Sequence, residues 1–185
     1  MTDIKKVTDY LLTLFKQDAD ALKTPFVDVS NLKLQKLLYY CQAYTLAMTG
    51  KVLFKKDIQA WEYGPVIREV YDKYKKYQDN DIPAGDIKEC SEIGDKTAEA
   101  IIRMIKDSKG KYSAFALIGM THAETPWQEA YAKGKNSVIN PETMQSYFYD
   151  KLCKEGTEEE EDRLWTASSL PLAEEDMEAL KNLAI

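Results

Sequence analysis

Apolar residues recur along most of this chain at the three-and-four spacing of amphipathic helices. Ile4, Val7, Leu11, Leu14 and Phe15 share one face of a helix predicted over about Thr2 to Gln17. A loop through Lys23-Thr24-Pro25 leads to Ser30, which is placed to cap a second helix over about Asn31 to Thr49. In that second helix Leu34, Leu37, Leu38, Cys41, Thr45 and Met48 line one side, while Tyr39, Ala43 and Leu46 occupy the other. A helix apolar almost all round is the buried centre of its domain, and Gly50 stands where such a helix stops.

The stretch Asp57 to Tyr63 alternates, which predicts a short strand or extended arm. Gly64-Pro65 then turns the chain, with Pro65 suited to the first position of a helix from Val66 to Tyr77. Gln78 to Gly94 reads as a polar loop. Asp95 and Ser113 are N-cap residues for helices through Ala98, Ile101, Ile102 and Ile105, and through Phe115, Leu117, Ile118 and Met120. Thr125, Pro126 and Gln128 have the spacing of a capping box around Trp127. Gly134 closes that helix, and Asn140-Pro141 opens the next, which runs to about Cys153. The expected fold is mostly α: a domain of six to seven helices over 1–153 with at most a small strand element. An acidic linker and a short amphipathic segment through Met177, Leu180 and Leu183 fill 154–185.

Composition narrows the function. With 185 residues, 44% hydrophobic and 30% charged, the chain can build one ordinary globular core. No apolar run approaches the roughly 18 residues of a membrane span, and Met1 to Lys6 lacks the apolar block of a signal peptide. The expectation is a cytoplasmic protein without a membrane partner. A net charge of −6 argues against nucleic acid as the main partner, since phosphate binding needs a concentrated basic surface. Cys41, Cys90 and Cys153 have no CxxC spacing, so neither a disulfide framework nor a zinc knuckle is expected.

The chain carries no recognisable catalytic motif. His122 is the single histidine, which excludes any site needing two imidazoles. Glycine-rich phosphate loops, GxSxG and HExxH are missing from the chain. The acidic runs Glu158 to Asp162 and Glu174 to Asp176 lack the alternation of a calcium loop. No catalytic residue, metal ligand or cofactor site is assigned, and the protein is not expected to be an enzyme. The aromatics around the Gly64-Pro65 turn remain open between two readings. Trp61, Tyr63 and Tyr71 either pack onto the central helix or, with Arg68, form a protein-binding surface.

Four stretches carry a resemblance. They are Leu32 to Tyr40 (LKLQKLLYY), Ala60 to Val66 (AWEYGPV) with Val70-Tyr71 after it, Thr121 to Trp127 (THAETPW), and Val138 to Glu142 (VINPE) leading to Tyr147-Phe148. In this order they resemble the Panacea antitoxin domain, the SocA-like or GepA-like phage-associated family, over about Met1 to Asp150. The resemblance implies a helical protein that neutralises a toxin encoded beside it. Toxins of the family include some related to alarmone synthetases that block translation. It also implies no catalytic residues. Leu34, Leu37, Leu38, Gly64, Pro65, His122, Pro126 and Trp127 then serve as structural signature residues. Contact with the toxin is expected from Trp61, Tyr63, Arg68 and Tyr71, or from Met177, Leu180 and Leu183. The alternatives are an adaptor that delivers the toxin to a AAA+ protease, and a DNA-binding regulator.

Overall fold

Helix α2 (Asn31–Thr49) runs through the middle of the molecule, and every residue from Lys33 to Ala47 is buried. The computed structural model describes residues 1–155, and within them the chain is mostly helical, as its periodicity predicts. Ser30 caps α2 by accepting from the Lys33 amide, and Gly50 closes it in the left-handed conformation with φ +67°. Against α2 pack α3 (Arg68–Tyr74), α4 (Lys96–Lys109), α5 (Ala114–His122) and α7 (Pro141–Glu155), while α1 (Ile4–Leu22) packs on α4 and α6 (Thr125–Ala132) packs on α5 and α7. Asp3, Asp95 and Ser113 cap α1, α4 and α5, each through its side chain. Asn140 Oδ1 accepts from the amides of Glu142 and Thr143 at the start of α7.

The core is continuous from Ile4 and Leu11 of α1, through Leu34, Leu37 and Leu38, to Ile101 of α4 and Phe148 of α7. Phe148 meets Tyr39 and Tyr40 edge to face, with ring centroids 5.9 and 6.0 Å apart. That geometry suits the aromatic quadrupole and adds to area burial alone. Among the described residues no helix is long and apolar enough to cross a membrane.

Two small antiparallel sheets complete the fold. β1 (Phe26–Ser30) pairs with β4 (Asp81–Pro83), placing Phe26 opposite Pro83 and Ser30 opposite Asp81. Loops were expected at both places, yet Val27 and Val29 alternate inward and are fully buried. The second sheet is the hairpin β2 (Gln59–Trp61) and β3 (Gly64–Val66), with a single bridge from Gln59 to Val138.

Three local expectations are corrected. Pro65 does not open a helix: it lies in β3 opposite Ala60, and α3 starts at Arg68. The expected helix over Val66 to Tyr77 is shorter, ending at Tyr74 and continuing as a 3₁₀ turn through Tyr77. No capping box forms at Thr125. Glu124 holds the N-cap position with its side chain buried beside Tyr40, and Gln128 Nε2 donates to the His122 carbonyl instead.

Candidate functional site

All four sequence stretches with recognisable patterns meet at the β2–β3 hairpin. Gly64 has φ +96°, a conformation in which a side chain is strained. A Cβ there would also stand 2.7 Å from Lys36 Cε and 2.9 Å from Thr121 Oγ1. Glycine is therefore demanded twice, by backbone angle and by close approach. The Lys36 side chain is fully buried beneath this point, and its Nζ donates to the Pro65 carbonyl at 3.1 Å. Burial lowers its pKa to about 7.

The rest of the hairpin is tied down from every side. Gln35 Oε1 accepts from the Ile67 amide at 2.9 Å, which ends the strand and sets the entry to α3. Asn31 Nδ2 donates to the Tyr71 carbonyl, and Gln35 Nε2 donates to Asn31 Oδ1. Trp127 Nε1 donates to the Trp61 carbonyl at 3.1 Å. On the outer strand, Ala60 exchanges main-chain bonds with Ser137 and Asn136, and Ile139 donates to Ile58. A two-stranded hairpin is marginal alone. Here helices α2 and α6 and the α6–α7 loop hold it.

His122 ends α5 and stacks on Trp127, ring centroids 3.9 Å apart, and Trp127 stacks in turn on Tyr131 at 4.6 Å. Burial and then Lys36 lower the His122 pKa, against the main-chain group of Glu62 beside it. Nearby, Glu124 is buried and accepts from Tyr40 Oη at 3.2 Å, while its Oε2 has no hydrogen-bond partner. Burial raises its pKa, opposed by Lys151 at 3.7 Å.

What this scaffold presents outward is aromatic. Trp61 and Tyr71 pack at 5.0 Å between ring centroids, and the Arg68 guanidinium lies 5.5 Å from the Trp61 ring. Arg68 Nε also donates to Asp72 at 3.0 Å, which fixes its fork over the indole. Trp61 and Tyr71 are half-buried, whereas Tyr63 at the hairpin tip is 61% exposed. The structure thus brings Trp61, Arg68 and Tyr71 into one cluster with Tyr63 on the adjoining turn. Met177, Leu180 and Leu183 lie outside the described residues. Leu34, Leu37, Leu38, Gly64, Pro65, Pro126 and Trp127 are buried, in keeping with a structural part.

Residues 34–128 match the family described as Antitoxin SocA-like, Panacea domain. This covers Lys36, the hairpin, His122 and Trp127 together. The chain belongs to the SocA-like Panacea antitoxin family. Consistently, it is 33% identical over 135 residues to the protein named Antitoxin SocA of Caulobacter vibrioides (strain NA1000 / CB15N), covering 68% of each chain. No solved structure matches the chain. Within the stretch of this Panacea domain that matches the family, Lys36, Gly64 and Trp127 are buried and support the hairpin from within.

Other features fall outside that centre. A groove of about 440 Å³ between α1, β1 and the end of α4 has Phe15, Leu22 and Phe26 in its walls. Two of its rim carboxylates, Asp18 and Asp107, are already paired with Lys106. The Cys41 thiol is buried and its pKa raised, so it has the character of a core residue rather than a nucleophile. The exposed surface of α5 was not foreseen from sequence. Its apolar composition reads as a core helix, yet only Leu117 and Thr121 of its residues are buried.

Proposed function

We propose that this protein is an antitoxin that neutralises a cognate protein toxin by direct binding, and that the hairpin cluster takes part in the contact. The observation that carries this is the rigidly held, half-exposed set of Trp61, Arg68 and Tyr71 beside exposed Tyr63. Aromatic residues and arginine held in place lose little side-chain freedom on binding, and they dominate the energetics of protein interfaces. Membership of the antitoxin family supplies the class of partner. The toxin is one that blocks translation, in the manner of an alarmone-synthetase relative, and the antitoxin covers its active site.

The deciding experiment uses purified components. The product of the adjacent reading frame is assayed for inhibition of a reconstituted translation reaction, alone and with this protein. Neutralisation at stoichiometric ratio, with no protease and no added nucleotide for one, supports occlusion. Neutralisation only when a AAA+ protease and ATP are supplied replaces it with the adaptor reading. A product that is harmless, or that this protein neither binds nor silences, overturns the antitoxin reading.

A further inference from the structure

We propose that the exposed face of α5 is the ridge on which the toxin seats, and that the toxin meets it with an apolar surface edged by carboxylates. This rests on the antitoxin reading above and names the chemistry of the partner.

A helix apolar nearly all round belongs in a protein interior. Helix α5, Ala-Phe-Ala-Leu-Ile-Gly-Met-Thr-His, has that composition but turns only Leu117 and Thr121 fully inward. Phe115 is 80% exposed, more than any other large apolar residue described. Phe115, Gly119 and Ala123 are four residues apart, so they form one stripe along the outer face, and Gly119 and Ala123 are also exposed. Nothing lies within 4 Å of where a Gly119 side chain would start. The ring of Phe115 therefore projects beside open space at Gly119 on the same helix face. Such contiguous apolar surface marks an interaction site.

Charge narrows what can cover it. From Ser108 to Ala123 the chain has no acidic residue, and it carries Lys109 and Lys111 just ahead of the helix. Lys111 is exposed. A partner whose apolar ridge is flanked by Asp or Glu at that end gains charge complementarity, and a basic partner is repelled. Continuity with the hairpin points to the toxin as the occupant. The last turn of α5 supplies Thr121, against Gly64, and His122, beside Glu62 and stacked on Trp127. Helix and hairpin are parts of one rigid support.

The test compares Phe115→Asp, Gly119→Lys and Lys111→Glu with a control, Leu22→Gln, which alters a residue 75% exposed on α1. The probe is the purified product of the adjacent reading frame, titrated calorimetrically at low and high salt. All four variants should keep the melting temperature and elution volume of the unaltered protein. The first two should lose affinity by on the order of thirtyfold, as for the central residues of an interface. Lys111→Glu should lose a smaller part, and only at low salt. The control should bind normally. Unaltered affinity in Phe115→Asp and Gly119→Lys, while the parent protein binds, overturns this proposal and leaves the antitoxin reading standing. A parent protein that does not bind the probe fails the antitoxin reading itself. A parent that is a dimer, made monomeric by Phe115→Asp, shows that a second copy covers α5 and overturns the assignment to the toxin.

Discussion

The indole nitrogen of Trp127 donates to the main-chain carbonyl of Trp61, joining positions 66 residues apart in the chain. One tryptophan thus fixes the backbone of the other while leaving that second ring to face outward.

Trp127 is therefore expected to carry two separable contributions. Trp127→Phe keeps most of the stack with His122 and Tyr131 but leaves the Trp61 carbonyl without its partner. It should cost about 1–2 kcal/mol of stability. Trp127→Ala removes the buried ring as well and should cost about 3–5 kcal/mol. Urea unfolding of the two variants measures both, and a Trp127→Phe variant as stable as the parent would show that the hydrogen bond contributes nothing.

Gly64→Ala should destabilise the domain by about 2–4 kcal/mol, from positive φ together with crowding against Lys36 and Thr121. Chemical denaturation is the measurement. A loss below about 0.5 kcal/mol would mean that the hairpin relaxes away from α2 at little cost.

Lys36 makes stability depend on pH. Its pKa is about 7 in the folded protein against an ordinary 10.5. Between those values the unfolded chain binds more protons than the folded one, so stability rises as pH increases through that window. Below pH 7 both states are protonated and the burial cost is constant. Lys36→Met keeps the stem against Gly64 and removes the charge. Its melting temperature should exceed the parent's near pH 6–7, and the gap should close toward pH 10. A gap independent of pH would show that Lys36 keeps its ordinary pKa and stays charged in the folded protein.

Arg68→Glu and Tyr71→Ala test the hairpin cluster as a contact surface. The Arg68–Asp72 pair is exposed, so its loss should leave stability nearly unchanged. If the cluster meets the toxin, affinity falls by about tenfold in each variant. Unchanged affinity in folded variants would confine the contact to other surfaces.

Much of the helical architecture was legible because it is written locally. Ser30, Asp95, Ser113 and Asn140 act at helix starts through atoms two or three residues away. Pro65 misled because its neighbour Ile67 gives its amide to Gln35, 32 residues back, and that contact keeps the segment extended. The pairing of β1 with β4 spans more than fifty residues and involves a three-residue strand, too short for a pattern of its own. At the candidate site, the gathering of Trp61, Arg68 and Tyr71 could be anticipated from the spacing of aromatics around a turn. The exposure of α5 could not, since Phe115 and Leu117 are alike in sequence and only the packing of α2 decides which is covered.

The remote anchoring of the hairpin has a consequence for biosynthesis. Its supports come from Gln35 and Lys36, from Trp127, and from Asn136 to Ile139, so they become available only as the chain nears the start of α7. Contacts of such separation form late and together. A ribosome-bound or clipped fragment ending before residue 136 holds the aromatic residues of the cluster without the geometry that arranges them. If the cluster meets the toxin, recognition is conditional on an intact chain, and a damaged copy forfeits its grip before it has lost the residues that would touch the partner.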